Sequence, residues 1–117
     1  MRSCYKNAKL TIGNSSWATR ELNIWCGENI TIGKDVLIAS FVLITDLYYG
    51  INPESLMNYQ KQEIITQSVI IEDGCWLGDK VSVLPGSKIG KKSIIGANSV
   101  VIGEIPLIVW QWEIQRE

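Results

Sequence analysis

From Ile71 onward, aliphatic side chains return every six residues: positions 71, 77, 83, 89, 95 and 101 are Ile, Leu, Val, Ile, Ile and Val. The positions four further on are Cys75, Val81, Ser87, Ser93, Ser99 and Ile105, five of them small or at most β-branched. A helix would place apolar residues three and four apart, and a half-buried strand would alternate for longer. A period of six matches a parallel β-helix with three faces per coil. Its long aliphatic side chains enter a narrow triangular interior and the small ones fit beside the corners. Glycine follows the aliphatic residue at Gly78, Gly90 and Gly96, and these corners are expected to use a positive φ that strains other residues.

An earlier block obeys the same rule at Ile32, Ile38 and Ile44, with Val36 and Val42 four positions on; Ile12-Gly13 opens a looser run. The register slips by two between Ile24 and Cys26. Ile44 and Ile71 are 27 positions apart, which is not a multiple of six, so the coil must be interrupted. The chain therefore reads as one all-β domain over 1–117, a parallel β-helix with one protruding loop. A first coil block covers 10–45, the loop 46–68, a second coil block 69–106 and an atypical tail 107–117. The loop is polar, carries Asn52, Pro53 and Asn58, and is long for a compact domain; such loops commonly carry function. A structural solenoid without chemistry is the plain alternative.

With 117 residues, 46% hydrophobic and 20% charged, the chain has room for one small globular domain. A net charge of −1 with mixed signs argues against a nucleic-acid partner, and no basic run suggests a membrane surface. Cys4, Cys26 and Cys75 are odd in number and lack C-x-x-C spacing, so neither a disulfide framework nor a zinc site is indicated and no metal is expected. A reducing cytoplasm is the simplest location. MRSCYKNAKL has no apolar stretch of signal-peptide length and no run approaches a membrane span.

Two stretches, IGKDVLIASFVLITD from Ile32 to Asp46 and VIIEDGCWLGDKVSVLPGSKIGKKSIIGANSVV from Val69 to Val101, resemble the left-handed β-helix hexapeptide-repeat acyltransferases. That family includes galactoside, maltose and serine acetyltransferases and many polysaccharide O-acetyltransferases. The resemblance implies a homotrimer with sites between adjacent β-helices, acetyl-CoA as co-substrate lying along the groove, and a histidine on the loop. That histidine is the general base: it takes the acceptor hydroxyl's proton as oxygen attacks the thioester carbonyl, and backbone N–H groups stabilise the oxyanion.

This chain contains no histidine. Where sugar-modifying members commonly read T-D-H-x-H-G, it reads Thr45-Asp46-Leu47-Tyr48-Tyr49-Gly50, so Leu47 and Tyr49 occupy the histidine positions. Phenols hold their proton at neutral pH and carboxylates are weak bases towards alcohols, so neither Tyr48, Tyr49 nor Asp46 replaces the base. Its loss implies a rate roughly 100- to 10,000-fold lower. Asp46 could orient the loop or a substrate hydroxyl, although a turn-forming aspartate is the commoner case. The resemblance also carries Trp76, Gly78, Asp79, Gly96 and Ala97 to the CoA path. For Trp76 the competing reading is an exposed aromatic covering a coil face, and for Gly78 and Gly96 it is a corner glycine. Cys75 reads as inert packing.

After Glu104-Ile105-Pro106 the family closes with P-x-x-V-x-x-G-x-P-A-[KR], whose basic residue often meets CoA phosphates, whereas this chain gives LIVWQWEIQRE. Trp110 and Trp112 fit no hexad. Read one base out of frame, the segment permits P-Y-C-V-A-M-G-N-P-A-R, the family's closing motif, so a single lost base near Pro106 would account for the tail; a divergent C-terminus is the alternative. Two functions compete. One is an acetyl-CoA-dependent O-acetyltransferase of a sugar or polysaccharide precursor, impaired by the missing base, with a small saccharide or nucleotide-sugar acceptor. The other is a catalytically silent trimeric β-helix for binding or assembly. A related nucleotide-sugar N-acyltransferase is a weaker third, since it too needs a histidine.

Overall fold

The computed structural model describes residues 2–106 and 110–111, of which 2, 3, 110 and 111 are described as backbone only. Five coils stack along one axis. The first holds β1 (Arg2–Cys4), β2 (Lys9–Ile12) and β3 (Trp17–Ala18) and the second β4 (Asn23–Cys26), β5 (Asn29–Ile32) and β6 (Leu37–Ile38). The third opens with β7 (Leu43–Thr45), leaves the stack through β8 (Leu47–Tyr48) and β9 (Ile65–Thr66), and resumes with β10 (Val69–Ile71) and β11 (Trp76–Leu77). The fourth holds β12 (Ser82–Val83), β13 (Lys88–Ile89) and β14 (Ile94–Ile95), and the fifth β15 (Val100–Val101), β16 (Glu104–Ile105) and β17 (Trp110–Gln111).

Each face is a five-stranded parallel sheet, and every third solenoid strand joins the same one: β1-β4-β7-β12-β15, β2-β5-β10-β13-β16 and β3-β6-β11-β14-β17. The fold is thus the parallel β-helix with one protruding loop that the hexads require. Inside, the aliphatic side chains form a buried ladder. Ile32, Ile71 and Ile89 align through their register on one face, and Ile38, Leu77 and Ile95 on another; all are at most 3% exposed. Each such side chain contributes about 1.5–3 kcal/mol relative to an exposed one. The small positions are also interior; two of their hydroxyls are satisfied between coils, Ser87 Oγ donating to Val101 O (3.0 Å) and Ser93 Oγ to Pro106 O (3.0 Å), while Ser99 Oγ is buried without a hydrogen-bond partner among the described residues.

Two readings of the repeat need correcting. Ile105 falls in the small series by sequence spacing, but it pairs with Ile89 on the long aliphatic ladder, so the last corner, between β15 and β16, is two residues short. From there β17 pairs with β14, Gln111 opposite Ile95. The backbone of Trp110–Gln111 therefore keeps the six-residue advance, contrary to the expectation that it fits no hexad; the rest of the tail, Trp112 included, lies outside the described residues.

The second correction concerns corner chemistry. Positive φ falls three residues after the aliphatic position, at Gly74, Lys80, Gly86, Lys92 and Asn98, and not at Gly78, Gly90 or Gly96. Five corners elsewhere place Asn7, Ser15, Glu21, Asp35 and Phe41 in the same conformation.

Candidate active site

The loop begins from a buried carboxylate. Asp46 is fully buried, because its Oδ1 accepts from Gly27 N (2.6 Å) and its Oδ2 from Glu28 N (2.9 Å) and Asn29 N (2.7 Å). Three consecutive N–H groups at the β4–β5 corner would otherwise lack strand partners, and an ionised acceptor satisfies them together. Asp73 and Asp79 repeat the device with one bond each, to Lys34 N (2.9 Å) and Ser40 N (2.8 Å). Both oxygens of Asp46 thus accept from the scaffold at the root of the loop.

The β8–β9 hairpin then folds back over that same corner. A Cβ on Gly27 would lie 2.9 Å from both Leu47 Cδ2 and Thr66 Cγ2, so the missing side chain is what lets the hairpin lie flat. Thr66 Oγ1 donates to Glu28 Oε1 (2.9 Å), and Gln67 N to Asp46 O (2.8 Å). Farther out, Gln62 organises the loop: its amide donates to Asn52 O (3.0 Å) and Met57 O (3.2 Å), and its Oε1 accepts from Asn52 N (3.1 Å).

Leu47 and Tyr49 differ in how they sit. Leu47 is half-buried against Gly27, whereas Tyr49 is exposed. Both line a groove of about 330 Å³ with Tyr5, Trp25, Leu43, Thr45 and Tyr48. No charged side chain lines it. Trp25 and Tyr5 were not singled out from sequence, although Trp25 occupies the outward position of β4 between inward-facing Ile24 and Cys26.

All five residues assigned to the CoA path lie together elsewhere. Trp76, Gly78, Asp79, Gly96 and Ala97 line a groove of about 300 Å³ with Ala39, Ile94 and Ile95. Trp76 stands half-exposed on β11 beside Leu37 below and Ile94 above. Here Gly78 is required for close approach: a Cβ would lie 2.8 Å from Ala97 N and 3.0 Å from Ile95 O. These are backbone atoms that cannot swing aside. Gly78→Ala is expected to cost about 1–3 kcal/mol, read as a lower urea midpoint; an unchanged midpoint would mean that the coils part without strain.

The two grooves share no lining residue. Within one chain, therefore, the histidine positions and the CoA-path positions are not brought into one cavity. Among the described residues no cluster of three or more metal-ligating side chains occurs, and no helix is long and apolar enough to cross a membrane.

These features define a hexapeptide-repeat β-solenoid, and comparison with known proteins places it. The bacterial transferase hexapeptide (six repeats) family matches residues 68–103. Escherichia coli WbbJ, provisionally assigned to lipopolysaccharide biosynthesis as an O-acetyl transferase, is 45% identical over 85 residues, 68% of this chain and 43% of that protein. The galactoside O-acetyltransferase of E. coli is 32% identical over 85% of this chain and 47% of its own length. Among solved structures, the hexapeptide-repeat acetyltransferase VCA0836 of Vibrio cholerae in complex with acetyl-coenzyme A superposes with a TM-score of 0.78 at 27% identity. That match covers 91% of this chain and 56% of that one. The chain belongs to the hexapeptide-repeat acyltransferase family, and it spans about half the length of the curated relatives it matches.

Proposed function

We propose that the chain supplies the acetyl-CoA-binding solenoid of an O-acetyltransferase acting on a sugar or polysaccharide precursor, with transfer impaired by the absence of a general base. The observation that supports this most directly is the groove at Trp76, where all five residues that the family resemblance carries to the CoA path converge on one surface. Galactoside and lipopolysaccharide-pathway relatives support the acceptor class. The protein works as a homotrimer in the cytoplasm. The separation of the two grooves favours that assembly, since a loop from one copy can meet the Trp76 groove of another only across an interface.

The test is direct. Calorimetry should show acetyl-CoA binding that falls at least about tenfold in Trp76→Ala, in line with the loss of a large buried aromatic contact, while sedimentation reports a trimer. Thioester cleavage against a panel of saccharides should be slow but acceptor-dependent. Absence of CoA binding, or a monomer at micromolar concentration, would remove the proposal. A second reading, a catalytically silent binding or assembly β-helix, is favoured by one observation: hydrophobic and phenolic side chains, Leu47 and Tyr49, fill both histidine positions. CoA binding without any acceptor-dependent cleavage would select it.

A further inference from the structure

We propose that Cys4 and Cys26 form a reactive thiol pair that closes to a disulfide on exposure to glutathione disulfide, fastening the first coil of the solenoid to the second. The two residues are register partners in neighbouring parallel strands, Cys4 of β1 opposite Cys26 of β4. Adjacent strands lie roughly 4.7–4.9 Å apart, inside the roughly 4.4–6.8 Å that disulfide-linked Cα atoms span. In-register partners of neighbouring strands project from the same face of the sheet, so the two side chains leave it on the same side. A disulfide draws its Cβ atoms to about 3.5–4.5 Å. The strand that must yield is β1, the edge of its sheet, paired on one side only. Cys75 is not a competitor: it is buried at a corner of the third coil, between β10 and β11, and its thiol donates to Gly90 O (3.1 Å).

The chemistry proceeds in two exchanges. Cys4, the exposed member, loses its proton and its sulfur attacks one sulfur of glutathione disulfide; that S–S bond breaks and one glutathione leaves. The Cys26 sulfur, once deprotonated, attacks the Cys4 sulfur of the mixed disulfide, and the second glutathione leaves. Two protein thiols are oxidised and one glutathione disulfide is reduced to two glutathiones. The second exchange is the slow one. Burial first, then the Asp46 carboxylate and the Cys4 thiol, push the Cys26 thiol up to about 11. The other groups against it are backbone, namely Lys9 O, to which it donates (3.4 Å), and Ile30. Closure should therefore quicken as pH rises towards that value.

The pair is joined through the backbone to the groove at the loop. Tyr5 follows Cys4 and Trp25 precedes Cys26, and both aromatics line that groove with Leu47 and Tyr49. Closing the disulfide pins two of its walls to each other.

The experiment uses the full chain, reduced and then incubated with glutathione disulfide in mildly alkaline buffer. Thiols counted after denaturation should fall from the three free cysteines to one, the intact mass should drop by two hydrogens, and the melting temperature should rise on the order of 10 °C. Cys75→Ser should still lose both remaining thiols. Cys4→Ser, altering an exposed side chain, should retain both of its own. A glutathione adduct that persists on Cys4, or a bond through Cys4 to a second chain with no internal closure, would overturn the proposal.

Discussion

Tyr49→His is expected to raise acetyl transfer by about 100-fold or more, provided that acetyl-CoA still binds. The family alignment offers two positions for the base, Leu47 and Tyr49, and the structure separates them. Tyr49 is 53% exposed and faces the groove at the loop, so an imidazole there meets solvent and an incoming acceptor hydroxyl. Leu47 packs on Gly27, and an imidazole in its place would exchange apolar contact for a polar ring against the coil. Leu47→His alone should therefore lower stability by roughly 1–3 kcal/mol, as expected for a polar group buried with imperfect partners. The double variant should gain activity only as far as Tyr49→His does. Single-turnover release of CoA thiol, with the best saccharide of the panel, measures the gain. A rate that stays flat while calorimetry shows intact CoA binding would mean that the loop does not present position 49 to the acceptor.

Asp46→Ala should be strongly destabilising, costing roughly 3–5 kcal/mol, since three backbone donors lose their acceptor together and each costs about 1–3 kcal/mol when left unsatisfied. The carboxylate satisfies three N–H groups from a neighbouring coil at 2.6–2.9 Å, and each loses its acceptor at a part-buried corner. Against a total stability of about 5–15 kcal/mol for a typical domain, that is a large share. Asp46→Asn keeps one acceptor oxygen and should cost less. Urea denaturation of the purified variants gives both values. A cost below about 1 kcal/mol for Asp46→Ala would show that water reaches the corner and replaces the carboxylate.

The coil was legible because a period of six is self-consistent over many repeats. One side chain at each position 71, 77, 83, 89, 95 and 101 must be apolar, and no helix or ordinary strand imposes that spacing. What a period cannot carry is the exception. Ile105 is aliphatic, so it satisfies the small and the long series alike, and only its pairing with Ile89 decides between them. Corner glycines misled for a related reason: Gly78 signals close approach of a coil through Ala97, while the left-handed conformation three residues after positions 71, 77, 89 and 95 is carried by Lys80, Lys92 and Asn98 as readily as by Gly74.

At the candidate site, the CoA-path residues were legible as a motif and the loop was legible as an interruption. The role of Asp46 was not, because its partners at Gly27, Glu28 and Asn29 are a whole coil away in sequence. The Cys4–Cys26 pairing was hidden in the same way. Their separation of 22 positions becomes adjacency only once the length of that coil is known. Contacts of this kind belong to the stack, and a single pass along the chain does not display them.

The loop's departure and return at one corner has a consequence for change over time. Thr45 ends one face and Val69 begins the next in unbroken order, so the excursion between them can be exchanged, lengthened or trimmed without rethreading any coil. The entropic penalty is slight, since doubling a flexible loop adds only about 0.6 kcal/mol. Asp46 and Thr66 hold the root of that excursion, while nothing in the stack depends on its tip at Leu56 and Met57, which stand open to solvent. Selection can therefore rewrite the surface that the tip presents while the groove at Trp76 stays as it is, and the two inherit their histories separately.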